Sequence, residues 1–165
     1  MITQEQAVYL LALQKVLKDT HTSEIVLKNE RTNLDLMSPE DRKWEFKVQY
    51  YSNKRVSFKI SIHHLETNTN IGLMRVCYNS GHKNPEIAST RVPDFLKPFA
   101  GASLDDSHIH FFVQGYKDLA WALPLKSHDF PAKKITSYDE YMEAVKSFNK
   151  AINLISPISI LKPIL

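Results

Sequence analysis

The sequence predicts an α+β fold: an antiparallel sheet of about five strands, flanked by an N-terminal and a C-terminal helix, with a long insert at 86–106. Three observations predict it. Residues 44–62 alternate apolar and polar side chains at period two about a short polar turn, the pattern of an antiparallel hairpin with one wet face. Apolar stripes at helical period stand near both ends of the chain. The strand-like runs are joined by turns instead of crossover helices, which argues against a parallel α/β arrangement.

Met1 to Asp19 reads as the first helix, with Thr3 and Gln6 at capping-box spacing and Ala7, Leu10, Leu11, Leu13, Val16 and Leu17 on one face. Residues 24–29 fit a short strand or a continued helix. Residues 30–43 are mixed, and Ser38-Pro39 suits the start of one helical turn. In the hairpin, Trp44, Phe46, Val48 and Tyr50 alternate with polar residues, and after a turn near Ser52-Asn53-Lys54 Val56, Phe58, Ile60 and Ile62 do the same. A turn at 66–70 leads into Ile71 to Tyr78, apolar on both faces and therefore central. The insert contains Pro93, Pro98 and Gly101, and a connection of that length is usually functional or poorly ordered. A strand at 108–114, a tight turn at 115–118 and a returning strand at 119–125 follow. Ser137 and Glu140 open the last helix, which runs to about Leu154 with Tyr141, Ala144, Val145, Phe148 and Ile152 as its stripe. The apolar tail 156–165 reads as an extended packing segment or a docking peptide.

The 165 residues fit a single domain, 1–165, large enough to bury a core. At 43% apolar and 24% charged, the chain is an ordinary globular sequence and not a disordered one. A net charge of +3 permits nucleic acid as a partner without demanding it. The one cysteine, Cys77, excludes an internal disulfide and suits a reducing cytoplasm. No apolar run approaches the roughly 18 residues of a membrane span, and no signal pattern opens the chain.

Chemistry concentrates in four residues. On a strand, His108 and His110 share a face about 7 Å apart, where two imidazoles can act as acid and base or bind a metal. The ordinary alternative is a polar strand face. Arg75 interrupts an apolar strand, and a buried guanidinium is costly unless a carboxylate or phosphate meets its fork. A structural ion pair with a core Asp or Glu is the plain reading. His82 and Lys83 follow Gly81 in a turn, where they could present donors to a phosphate or simply be solvated. His82, His108 and His110 would be the ligands if a metal is held, with an open position as in catalytic zinc sites. The spacing of His108, His110 and Gln114 is similar to the cupin pattern, but glutamine replaces its carboxylate and the second cupin motif is missing.

Taken together, the arginine strand, the H-x-N-P turn at His82 to Pro85, His108-Ile109-His110 followed by aromatics, and LAWALPL at 119–125 resemble a small family of phage- and prophage-encoded bacterial proteins. They are loosely similar as well to TumE-like toxins of toxin–antitoxin pairs. The resemblance covers residues 71–125. It implies attention to Arg75, His82, His108 and His110, and a toxin-type role on a mobile element.

The expected function is metal-independent, ribonuclease-like phosphodiester cleavage. His108 and His110 supply base and acid, Arg75 clamps the phosphate with His82 assisting, and Lys83, Arg91 and Gln114 contact substrate. No cofactor is expected. The partners are RNA or a nucleic-acid-processing protein, with a cognate protein partner and a homodimer both compatible, and no membrane. The alternatives are a non-enzymatic inhibitor or antitoxin-like protein acting on a host nuclease, and a histidine-ligated metalloprotein.

Overall fold

The computed structural model describes residues 2–27, 31–53 and 59–162, with the backbone alone at 22 and 59–65. In chain order the elements are α1 (Gln4–Ala12), β1 (Val16–Leu17), β2 (Glu24–Val26), β3 (Arg31–Met37), β4 (Glu45–Asn53), β5 (Lys59–Glu66), β6 (Ile71–Tyr78), β7 (His82–Lys83), β8 (Ser103–Leu104), β9 (His108–Phe111), β10 (Trp121–Pro124), α2 (Tyr138–Ala151) and β11 (Ser159–Leu161). The class is α+β with a helix near each end. The main sheet has seven strands in the order β1-β3-β4-β5-β6-β9-β10, every neighbouring pair antiparallel.

Register assigns the two faces. Val76, Ile109 and Leu123 stand opposite one another across β6, β9 and β10, as do Met74, Phe111 and Trp121. Alternation puts these on one face, which carries the main core with Phe46 and Tyr78. Both helices cover it. Tyr50 Oη donates to Asn149 Oδ1 of α2 at 2.6 Å, and the predicted α2 stripe of Tyr141, Ala144, Val145, Phe148 and Ile152 is buried throughout. The other face of β6, β9 and β10 carries Leu73, Arg75, Cys77, His108 and His110, and lies under the chain between β6 and β9.

The first helix is shorter than the sequence pattern suggests. The Thr3–Gln6 capping box forms, but α1 ends at Ala12. Lys15 folds back and its Nζ donates to Leu10 O, Leu11 O and Leu13 O at 2.7–3.0 Å, capturing the carbonyls a longer helix would have used. Its own N–H goes to Asn153 O, and Val16 and Leu17 become β1. Residues 31–37 are a strand, not part of a mixed segment, and no helix forms at Ser38-Pro39. Of residues 24–29, Glu24–Val26 form β2 and 28–30 lie outside the described residues. The hairpin forms, but its turn lies later than expected: Ser52 and Asn53 belong to β4 and pair with Ile60 and Lys59, Tyr50 stands opposite Ile62, and residues 54–58 lie outside the described set. The strand predicted at 108–114 stops at Phe111, and α2 stops at Ala151. Pro124 sits at the end of edge strand β10, where no ladder donor is required. In the tail, Ser159–Leu161 pair in parallel with β2 of the same chain, and 163–165 lie outside the described residues.

The insert is built, not loose. Val92, Leu96 and Leu104 are buried, and a 3-10 turn spans Lys97–Phe99. Gly101 closes it at φ +68, where a Cβ would meet Glu86 Oε2 at 2.5 Å.

Candidate functional site

Sheet register builds the site. Arg75 stands opposite His110, and Cys77 opposite His108, across β6 and β9. Four side chains two residues apart on paired strands therefore share one face. His82 arrives from β7 above them, its ring 5.6 Å from His108 and 4.5 Å from His110, while His108 and His110 are 4.7 Å apart. The structure thus brings Arg75, His82, His108 and His110 into one cluster.

Each imidazole is held by a hydrogen bond that fixes its tautomer, because a carbonyl can only accept. His108 Nδ1 donates to Asp106 O at 2.7 Å, His110 Nδ1 to Leu119 O at 2.8 Å, and His82 Nε2 to Ala120 O at 2.9 Å. The remaining nitrogens are His108 Nε2, His110 Nε2 and His82 Nδ1. Leu119 adopts φ +49, an uncommon conformation for a bulky side chain, in the residue whose carbonyl meets His110.

Arg75 Nη2 lies 3.2 Å from His110 Nε2 and 3.5 Å from its Nδ1, so the guanidinium rests against the imidazole ring. No carboxylate among the described residues pairs with this guanidinium, and its buried Nε has no partner there. The expected structural ion pair is therefore absent among them. His63 is opposite Arg75 in the β5–β6 register, but its side chain lies outside the described set, as does that of His64. Burial, then the positive charge of Arg75, push His110 down to about 2, and burial lowers His108 as well. Both are neutral at physiological pH.

Exposure divides the cluster in two. His108 and His110 are each 1% exposed. Arg75 and His82 are half-buried and line an open cleft of about 710 Å³ with Lys83, Asn84, Lys117 and Asp118. The expectation that His108 and His110 exchange protons directly with substrate meets a geometric obstacle: neither can be reached from solvent. His110 also lacks a proton on Nε2 to give. Lys83 is at the cleft, its Nζ 2.6 Å from Glu86 Oε1. Arg91 and Gln114 are not. Arg91 packs over Gly115, and Gln114 exchanges reciprocal hydrogen bonds with Gln4 at the start of α1.

Asn84 is a residue sequence reasoning passed over. It is buried, its Nδ2 donates to Phe99 O and Ala122 O, and its Oδ1 accepts from Ala122 N and lies 3.1 Å from His82 Nε2. One amide therefore fastens the His82 turn to edge strand β10 and to the insert. The Asn-Pro pair after His82 was the available signal. Cys77 went unremarked as a site residue because it lies in an apolar run.

A family model matches residues 2–154, described as a family of unknown function, DUF6978. The chain belongs to that family. No curated protein and no solved structure matches it. Within this DUF6978 chain, no helix among the described residues is long and apolar enough to cross a membrane.

Proposed function

We propose that the cleft binds a phosphodiester backbone, RNA in the first instance, and cleaves it without a metal at the phosphate. The observation that carries this is Arg75: a guanidinium without a carboxylate among the described residues, resting against His110 and opening beside His82 into a cleft. Its fork suits a phosphate, and Lys83 and Lys117 line the same cleft, with Glu86 and Asp118 beside them. An open cleft suits a polymer that passes through it better than a metabolite, which would be mostly enclosed. His82 takes the place expected of the strand histidines. Its Nδ1, the nitrogen not turned to Ala120 O, removes the 2′-hydroxyl proton. The 2′-oxygen then attacks phosphorus, and the 5′-oxygen leaves with a proton from water. His110 is a positioning residue that aims Arg75.

The test is a fluorescently labelled single-stranded RNA, followed for binding and for a 2′,3′-cyclic phosphate product. His82→Gln should bind but cleave 10² to 10⁴ times more slowly, roughly the worth of a general base. Arg75→Met should weaken binding by roughly tenfold or more and slow cleavage with it. Failure of the folded wild type to bind RNA at low salt overturns the reading. A non-enzymatic role on a protein partner has its own support in Ile87 and Phe95, 80% and 52% exposed on the insert. Stoichiometric capture of a protein that Ile87→Ser abolishes would favour it.

A further inference from the structure

We propose that Cys77, His108 and His110 form a second, buried site for a zinc-class divalent cation, behind the Arg75–His82 cleft. The sulfur of Cys77 and one nitrogen from each histidine all lie within 4.8 Å of one another, and all three residues are buried. Zinc bonds at roughly 2.0 to 2.3 Å require donors closer than that. Binding therefore requires side-chain rotations that bring the three donors together. Cys77 and His108 are directly opposed and His110 is two residues along, so the three donors share one sheet face. Both imidazoles already make the outer contact that metal-bound histidines use: each donates Nδ1–H to a backbone carbonyl and keeps Nε2 for the ion.

A thiolate with two imidazoles matches zinc better than magnesium or calcium. Three protein ligands leave a fourth position for a small molecule such as water. Binding releases the Cys77 thiol proton to solvent, and the thiolate offsets one of the ion's two charges, which matters beside Arg75. Coordination at His110 Nε2 puts the ion beside the Arg75 guanidinium, whose Nη2 lies 3.2 Å from that nitrogen. This ligand set differs from the three histidines expected from sequence. Cys77 enters it, while His82 remains committed through Nε2 to Ala120 O.

The experiment treats the full chain with chelator, removes the chelator and titrates Co²⁺ as a coloured surrogate for zinc, with no RNA present. One equivalent should bind with thiolate-to-cobalt charge-transfer absorption, and Zn²⁺ should displace it. Cys77→Ser should lose that absorption, His108→Gln should weaken binding at least tenfold, and His82→Gln should leave both unchanged. Unchanged cobalt affinity in His108→Gln, or lost binding in His82→Gln, would overturn the proposal. If the Cys77 and His108 variants do not fold, the wild type decides alone: a folded chain that gives no charge-transfer band with Co²⁺ sinks it. Since no nucleic acid enters the measurement, its failure leaves the RNA reading of the cleft standing, and the converse holds.

Discussion

The molecule carries two cations pulled out of water, at Lys15 and at Arg75, and the protein treats them differently. Lys15 is 0% exposed, yet its ammonium has three carbonyl acceptors at the end of α1 and sits 4.8 Å over the Phe46 ring. Each of its three protons is used. Burial lowers its pKa to about 7, and the carbonyls, with the negative end of the helix dipole, make an ammonium tolerable there. Arg75 has five donors, and the described residues give it one neutral imidazole to rest against. A cation whose hydrogen-bonding capacity is filled by backbone belongs to the architecture. One left mostly unfilled by the described residues at the mouth of a cleft is where the proposed phosphate would bind.

The sharpest way to separate the two regions is acid. His110 is held down to about 2 from an ordinary 6.5, so below pH 6.5 the unfolded chain takes up the proton first. Its contribution to stability is complete above 6.5 and drains away as pH falls toward 2. Over the first two pH units that amounts to about 3 kcal/mol, and more below. Lys15 adds nothing to this slope, being charged in both states beneath pH 7. Denaturant midpoints measured down the acid range should therefore fall more steeply for the wild type than for His110→Gln. Parallel slopes would mean the imidazole is not buried as described.

Next in size is Lys15→Met. It leaves three helix-terminal carbonyls without a donor, at a cost of about 3 kcal/mol, and should lower the melting temperature while leaving RNA affinity alone. Arg75→Met should do the reverse, changing the melt little and weakening RNA binding by roughly tenfold or more, the worth of a charge-assisted hydrogen bond. If the Lys15 variant melted normally and the Arg75 variant collapsed, the assignment of architecture and ligand site would be inverted.

The contrast also explains what the sequence disclosed. Arg75 was conspicuous because it breaks an apolar run, and the i, i+2 spacing of His108 and His110 fixed their shared face once a strand was assumed. Lys15 was invisible: it falls among Leu10, Leu11, Leu13, Val16 and Leu17 on a stripe that continues as if helical, and only its tertiary acceptors end α1. β3 was missed because Leu34 and Leu36 alone carry its period, between Asn33 and Asp35, which disfavour strands. Period-two patterning found β4 and β5, where several residues repeat it, and a run apolar on both faces found β6. The depth of His108 and His110 was not readable either, since the chain that covers them comes from 79–107 and depends on Asn84 reaching β10.

The smallest expected effect concerns Lys83, which sequence placed beside the substrate. Its ammonium is 2.6 Å from Glu86, but both side chains are largely exposed, at 60% and 68%. Such a pair adds about 0.5 kcal/mol or less to folding, so Lys83→Ala should melt like the wild type. A phosphate at Arg75 would feel Lys83 only through water and against the opposing Glu86 charge, where a unit charge contributes at most about 1 kcal/mol. RNA affinity should then fall about two- to fivefold at low salt and converge with the wild type as salt is raised. Glu86→Gln, removing the opposing charge, should strengthen binding by a similar factor. Opposite signs from the two neighbours would locate the phosphate on the Arg75 side of this turn, whereas no response from either would move the RNA path to the Lys117 side of the cleft.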